Sequence, residues 1–341
     1  MVRSERRRGD VRVSLFVSAA LLLLTDLLLG AWRPGGLRLP SHFSGDYLRS
    51  YALEHAAGPG LVVLGDSEMW GYGVAAAASP VAQLERTLGR PVDNLTYEAE
   101  TPINEDFVLR LLLAHGIRPR AVIVEINSAS FNETAVEYDR LNAALAEVAL
   151  PALLEPFDAG RLDDAQRTHV PTPGERLDRF VAAHWRLYGR RVDLHQALFG
   201  DADLAGALFA RVHPLLQPND ATGSGRYAAM YDLTPLDRDN VDFAYAGHLF
   251  AMLAKHRIPG IVLLPPVNHA LLHRYVDNAA YDANRRRVAR LAQASGLAVL
   301  DLDRLLPSQD FIDNTHLNAA GGDRLARAIA PHVAPYLDVL Q

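Results

Sequence analysis

The chain has 341 residues, 49% of them hydrophobic, and a formal net charge of -6. That length allows one sizeable globular domain with room for an insertion, and the acidic balance gives no support for a nucleic-acid partner. There is no cysteine, which removes disulfides, thiolate metal sites, a cysteine nucleophile and any lipid-attached cysteine.

Residues 1–12 form a basic tail carrying Arg3, Arg6, Arg7, Arg8 and Arg12. Val13–Trp32 follows as an apolar run long enough to span a bilayer, with Asp26 its one charge. The arginines favour the cytoplasmic side, so the chain after Trp32 is expected outside, in the periplasm or at the cell exterior. Leu29-Gly30-Ala31 is a poor cleavage site, which favours an uncleaved anchor over a signal peptide. Asp26 either faces a partner helix, sits near the outer interface, or is one tolerated acid. Residues 33–60 read as linker and approach, with Arg33–Pro40 rich in Gly and Pro.

From Leu61 onward short apolar runs alternate with helical patterns. Strands are expected at Leu61–Leu64, Val92–Leu95, Ala121–Ile126, Gly260–Leu264 and Leu297–Leu302. Helices are expected at Ser79–Leu88, Glu105–His115, Val241–His256, Ala279–Ser295 and Ala319–Tyr336, the last interrupted at Pro331 and Pro335. Such alternation implies a parallel sheet covered on both faces, whose sites lie outside the carboxyl ends of its strands. Residues 130–240 break the alternation and are too long for an ordinary connection. Helix-like pieces there (Ala135–Val148, Glu175–Leu198) suggest either a cap over the catalytic end or an extension packed at the sheet edge.

Three polar blocks each follow a candidate strand directly. Gly65-Asp66-Ser67 follows the first, Asn127 ends the third, and Asp313-x-x-His316 precedes the last helix. Taken singly, these read as a turn, a loop-bonding asparagine and a helix cap supplied by Asp313 or Asn318. Taken together, they supply a serine, a base and a carboxylate that fixes the base's tautomer.

With Gly71-x-Gly73-Val74 after the serine and His316-Leu-Asn-x-x-Gly321 at the end, these blocks resemble the SGNH (GDSL-type) hydrolase superfamily. The likeness is nearest to its membrane-anchored members that handle acyl groups on cell-envelope polysaccharides. It covers about Leu61–Asn127 and Gly260–Val333. It implies an SGNH or flavodoxin-like fold, a three-layer doubly wound parallel sheet within residues 61–341. It also implies a catalytic Ser67, His316 and Asp313, and an oxyanion hole made by the N–H groups of Ser67 and Ala99 and the side chain of Asn127. No cofactor or metal is implied. The implied partners are an acylated glycan or acyl donor and a multi-spanning membrane O-acyltransferase. The chain departs from the family at two places, with Ala99 where glycine is usual and Glu125-Ile126-Asn127-Ser128 in place of Gly-x-Asn-Asp.

The expected activity is therefore that of a membrane-anchored serine esterase or O-acyltransferase working through an acyl-serine. A non-catalytic binding module of a polysaccharide assembly complex and a secreted lipase or lysophospholipase are the alternatives. Glu98, Glu100 and Glu125 gather near the expected site, either as solvated edge residues or as contacts for a sugar or cationic acceptor. His269 and His273 are four apart, but Ala270 stands where a zincin needs glutamate.

Overall fold

The structure, a computed structural model, describes residues 2–29, 32, 38–39, 43, 45–56, 58, 60–98, 100–131, 153–162, 172–199, 231, 236 and 239–338. These residues divide into two units, one made of Gly35–Val170 with Phe199–Gln341 and the other of Met1–Pro34 with Pro171–Leu198.

The first unit is a parallel α/β structure. Its strands are β1 (Leu61–Leu64), β2 (Val92–Asn94), β3 (Ala121–Glu125), β4 (Gly260–Leu264) and β5 (Ala298–Asp301). They form one five-stranded sheet in the order β2-β1-β3-β4-β5, with every pairing parallel. The chain steps outward from β1 to β2, then crosses back to β3 on the other side of β1. That reversal leaves a crevice at the carboxyl ends of β1 and β3. Every residue of β1, β3 and β4 is buried, which is why, Glu125 at the end of β3 apart, these strands read as apolar runs rather than alternating ones.

On one face Leu61, Val63, Ile123, Ile261 and Leu263 join Val81 and Leu84 of helix Pro80–Leu88 and Leu325, Ile329 and Val333 of helix Ala319–Asp338. Val62, Leu64, Val122, Val124 and Val262 point the other way and are equally buried. Helices Pro102–Ala114 and Val241–Lys255 pack together on that side. The last helix runs unbroken through Pro331 and Pro335 to Asp338, where an interruption was expected. Burial of Ile329, Ala330, Val333 and Leu337 against the sheet holds the helix despite the ladder bonds each proline removes. At the end of the helix the carbonyl of Leu337 accepts from Arg90 at 2.9 Å and Arg120 at 2.8 Å.

Part of the expected linker is instead the helix Gly45–His55. Tyr47, Leu48, Tyr51 and Ala52 are buried along one of its faces, the helical spacing that the linker reading passed over. The piece Pro156–Asp158 of the insertion is a short 3-10 turn. Asp158 there accepts from Arg110 at 2.6 and 3.2 Å and from the Tyr245 hydroxyl at 2.7 Å. It is braced on the two helices that carry those residues. Ala135–Val148 lies outside the described residues.

The second unit is helical. It consists of Val2–Leu29 with Pro173–His184, Arg186–Gly189 and Arg191–Phe199. The single run expected over Glu175–Leu198 is thus three helices, broken where Trp185 is extended, at φ -133° and ψ 99°. Leu187 N–H donates to the Asp26 carboxylate at 2.8 Å, and the Arg190 guanidinium donates to the Trp32 carbonyl. Asp26 thereby has a partner within its own chain. Among the described residues no helix is long and apolar enough to cross a membrane. Of the expected span Val13–Trp32, Gly30, Ala31 and the side chains before Phe16 lie outside the described residues.

Candidate active site

β1 ends at Leu64, and Gly65-Asp66 turns the chain so that Ser67 opens the short helix Ser67–Trp70. Asp66 is the cap of that helix, accepting from Glu68 N–H at 3.0 Å. Gly71 closes it in the left-handed region at φ 86°. A side chain there would run into Ser79, so the glycine is required twice over. Arg38 stacks 3.9 Å from the Trp70 ring centre and donates to the carbonyls of Trp70, Gly71 and Val74 at 3.0, 2.5 and 2.9 Å. In the sequence Arg38 falls within the expected linker. Only the fold returns it to the serine turn.

The second half of the site comes from the loop before the last helix. Asp313 Oδ1 accepts from the N–H groups of Thr315 and His316 at 3.1 and 2.9 Å, which closes the loop on itself. Asn268, beyond β4, donates to the Asp313 carbonyl at 2.9 Å and takes the Asn314 carbonyl on its own N–H at 2.8 Å. Asn318, not Asp313, caps the helix, accepting from Ala320 and Gly321 N–H at 3.0 Å each. Asp313 is thereby left for the imidazole. His316 Nδ1 lies 2.7 Å from Asp313 Oδ2, and Ser67 Oγ lies 3.0 Å from His316 Nε2. Tyr72 packs on the His316 ring at 4.6 Å between centres.

The charges follow from this geometry. Burial pushes the Asp313 carboxyl up, but the His316 ring and the two loop N–H groups outweigh burial and hold it below the usual carboxylate range. An ionised Asp313 keeps the proton on Nδ1 and leaves Nε2 free to accept from Ser67. A serine, a base and an orienting carboxylate thus stand in one line at the carboxyl end of the sheet.

The expected oxyanion donors are only partly placed. The N–H of Ser67 makes no hydrogen bond among the described residues. Ala99 lies outside them. The Asn127 amide is turned to Glu68 Oε1 at 2.8 Å and Asp66 Oδ2 at 3.3 Å, while its oxygen accepts from Ala129 N–H at 2.9 Å.

Below the turn the fold gathers carboxyls. Glu68, Glu100, Glu105 and Glu125 are all buried, so Glu100 and Glu125 are not solvated edge residues. Glu100 accepts from Gly65 N–H at 3.2 Å and Glu125 from Asp66 N–H at 3.1 Å. Burial raises all four well above the ordinary carboxylate range, and the neighbouring carboxyls add to the rise. Asp66, Glu68 and Glu125 each bring an oxygen within 4.8 Å of the others, a spacing at which a cation could be held. His269 is accounted for elsewhere, between Asp277 at 2.7 Å and Asp303 at 2.8 Å.

No family model and no curated protein sequence matches the chain. Solved structures with a partial likeness include a family two carbohydrate esterase from Clostridium thermocellum in complex with cellohexaose. It is 8% identical over 82% of this chain and 64% of its own, at a TM-score of 0.40. A lipase/acylhydrolase from Enterococcus faecalis is 12% identical over 81% of this chain and 96% of its own, at 0.39. A catalytic mutant of Axe2, an acetylxylan esterase from Geobacillus stearothermophilus, is 15% identical over 81% and 94%, at 0.37. Likeness this distant carries no functional argument.

Proposed function

We propose that this chain is an SGNH-type serine esterase or O-acyltransferase that works through an acyl-Ser67 intermediate. The observation that carries the reading is the contact of Ser67 Oγ with His316 Nε2 at 3.0 Å, joining groups 249 residues apart. A 2.7 Å bond from His316 Nδ1 to Asp313 stands behind it. A hydroxyl so paired loses its proton to the imidazole as it attacks an ester carbonyl, and Asp313 stabilises the imidazolium that forms. The oxyanion is met by Ser67 N–H, with Ala99 N–H as a further donor implied by the family resemblance; the Asn127 amide, which the resemblance also implies, joins them only on leaving Glu68 or Asp66. His316 then protonates the leaving alcohol and the ester bond breaks, leaving the acyl group on Ser67. In the second half His316 takes a proton from water or a sugar hydroxyl as that oxygen bonds to the acyl carbon; the Ser67–acyl bond then breaks and His316 returns the proton to Ser67 Oγ.

We assign the acyl group to the acetyl type, the substrate to an extracytoplasmic polysaccharide, and the working partner to a multi-spanning membrane O-acyltransferase. The resemblance supports these assignments. Anchoring by the amino-terminal helix is supported by its exposed Phe16, Val17, Leu21, Leu22, Leu23, Leu24, Leu27 and Leu28. Four consecutive exposed leucines face every direction around a helix, which suits a lipid phase better than a one-sided protein groove.

The test is reaction with a fluorophosphonate together with turnover of p-nitrophenyl acetate, on the whole chain and on Ser67→Ala. Labelling and turnover that vanish with Ser67→Ala are expected. An unlabelled wild type would sink the reading and leave a binding module.

A further inference from the structure

The resemblance leaves Glu125 unexplained, since a glycine would usually stand at that position. The fold gives the side chain a place directly under the nucleophile turn. Two successive N–H groups of that turn end on buried carboxyls, Gly65 on Glu100 Oε2 at 3.2 Å and Asp66 on Glu125 Oε2 at 3.1 Å. A Cβ on residue 65 would overlap Glu125 Oε2, so the glycine at 65 and the glutamate at 125 fit as a pair. Glu68, next to the serine, holds the Asn127 amide at 2.8 Å. Glu68 Oε2 and Glu125 Oε1 are buried and take part in no hydrogen bond, and the two carboxyls, with Asp66, bring oxygens within 4.8 Å of one another. Two ionised carboxylates cannot share a dry site, so a proton between them is what lets both oxygens be satisfied.

We propose that Glu125 and Glu68 form a proton-sharing pair that acts as a positioning device for Ser67, holding the Gly65–Ser67 turn and Asn127 in register with His316. The inference rests on the acyl-serine reading above. A cation between Asp66, Glu68 and Glu125 is the competing arrangement. It predicts a response to divalent ions and to chelator that proton sharing does not.

Glu125→Ala and Glu125→Gln separate these cases, read by kcat and KM on p-nitrophenyl acetate across pH 5–9 and by thermal melting. A glutamine at 125 can still accept from Asp66 N–H and can donate its amide to Glu68, replacing the shared proton by a permanent one. Expected, therefore, is a fall in kcat of about 100-fold for Glu125→Ala with KM little changed, the size a misplaced reacting group commonly causes. Glu125→Gln should recover most of that rate and lose less of it toward pH 9 than the wild type does. If Glu125→Ala does not fold, the pH profile of Glu125→Gln decides alone: one parallel to wild type overturns the proposal. So does a melting temperature or rate that rises with added calcium or magnesium and falls with EDTA. Wild-type turnover that is lost with Ser67→Ala but indifferent to residue 125 removes this inference and leaves the serine reading standing. No wild-type turnover removes both.

Discussion

The two units of this chain treat apolar residues in opposite ways. In the sheet unit β1, β3 and β4 are covered on both faces, and Leu305 is the one large apolar side chain exposed among its described residues. In the helical unit Phe16, Leu21–Leu24, Leu27 and Leu28 of the first helix are exposed, as are Leu177, Phe180, Trp185 and Leu198. Both read as hydrophobic in the sequence. A sheet unit buries its apolar run within itself, because alternate side chains reach two helical layers. In the first helix the consecutive leucines Leu21–Leu24 are 49–67% exposed among the described residues. In the proposed function the sheet unit carries the reacting groups and the first helix the anchor.

The sharpest way to break this division is at the reacting groups. Ser67→Ala should lower turnover by at least about 10⁴-fold, and Asp313→Asn by a comparable factor through the wrong imidazole tautomer. Steady-state kinetics with an activated ester measures both, and the melting temperature should barely move with Ser67→Ala.

Next in size is a paired stability measurement. Leu263→Ala, in the middle of β4 and fully buried, should cost about 2–5 kcal/mol in denaturant unfolding of the sheet unit. Leu23→Ala, 67% exposed, should cost no more than about 0.5 kcal/mol. Equal costs would mean that the first helix is buried by its own chain. Replacing Leu23 and Leu27 together by serine should instead weaken flotation with phosphatidylcholine vesicles while leaving ester turnover unchanged.

The smallest effect concerns pH. Burial, then the charges of Glu125 and Asp66, raise the Glu105 carboxyl well above its ordinary value. The folded state thus holds a proton that the unfolded chain gives up near pH 4.3. The stability tied to that proton is complete below this pH and is lost as pH rises toward the folded value. Glu105→Gln should therefore raise the melting temperature more at pH 8 than at pH 5. A change of equal size at both would show that Glu105 does not titrate in this way.

Much of the fold was legible because burial leaves a one-dimensional trace. Leu61–Leu64 and Gly260–Leu264 coincide with β1 and β4, and β3 and β5 differ from expectation only at their ends. Gly45–His55 was passed over because Gly and Pro dominate the stretch before it. The prolines of the last helix read as breaks because local rules carry no account of the core packed against that helix. Ser67 could be singled out by type and by its place at a strand exit, and Asp313 and His316 by their spacing just before the last helix. Arg38 offered no comparable signal, since an arginine in a linker looks like any solvated charge until the fold brings three carbonyls to it.

The sequence by itself determined the strand-helix alternation and which residues could carry acyl chemistry, because periodicity, turn residues and side-chain type are local properties. Only the tertiary structure decided that Ser67 and His316 meet at hydrogen-bonding distance, that Asn318 rather than Asp313 caps the helix, and that Glu100 and Glu125 are buried braces rather than solvated acids. Distance and desolvation depend on which distant segments share a space, and the identity of a residue does not encode its neighbours.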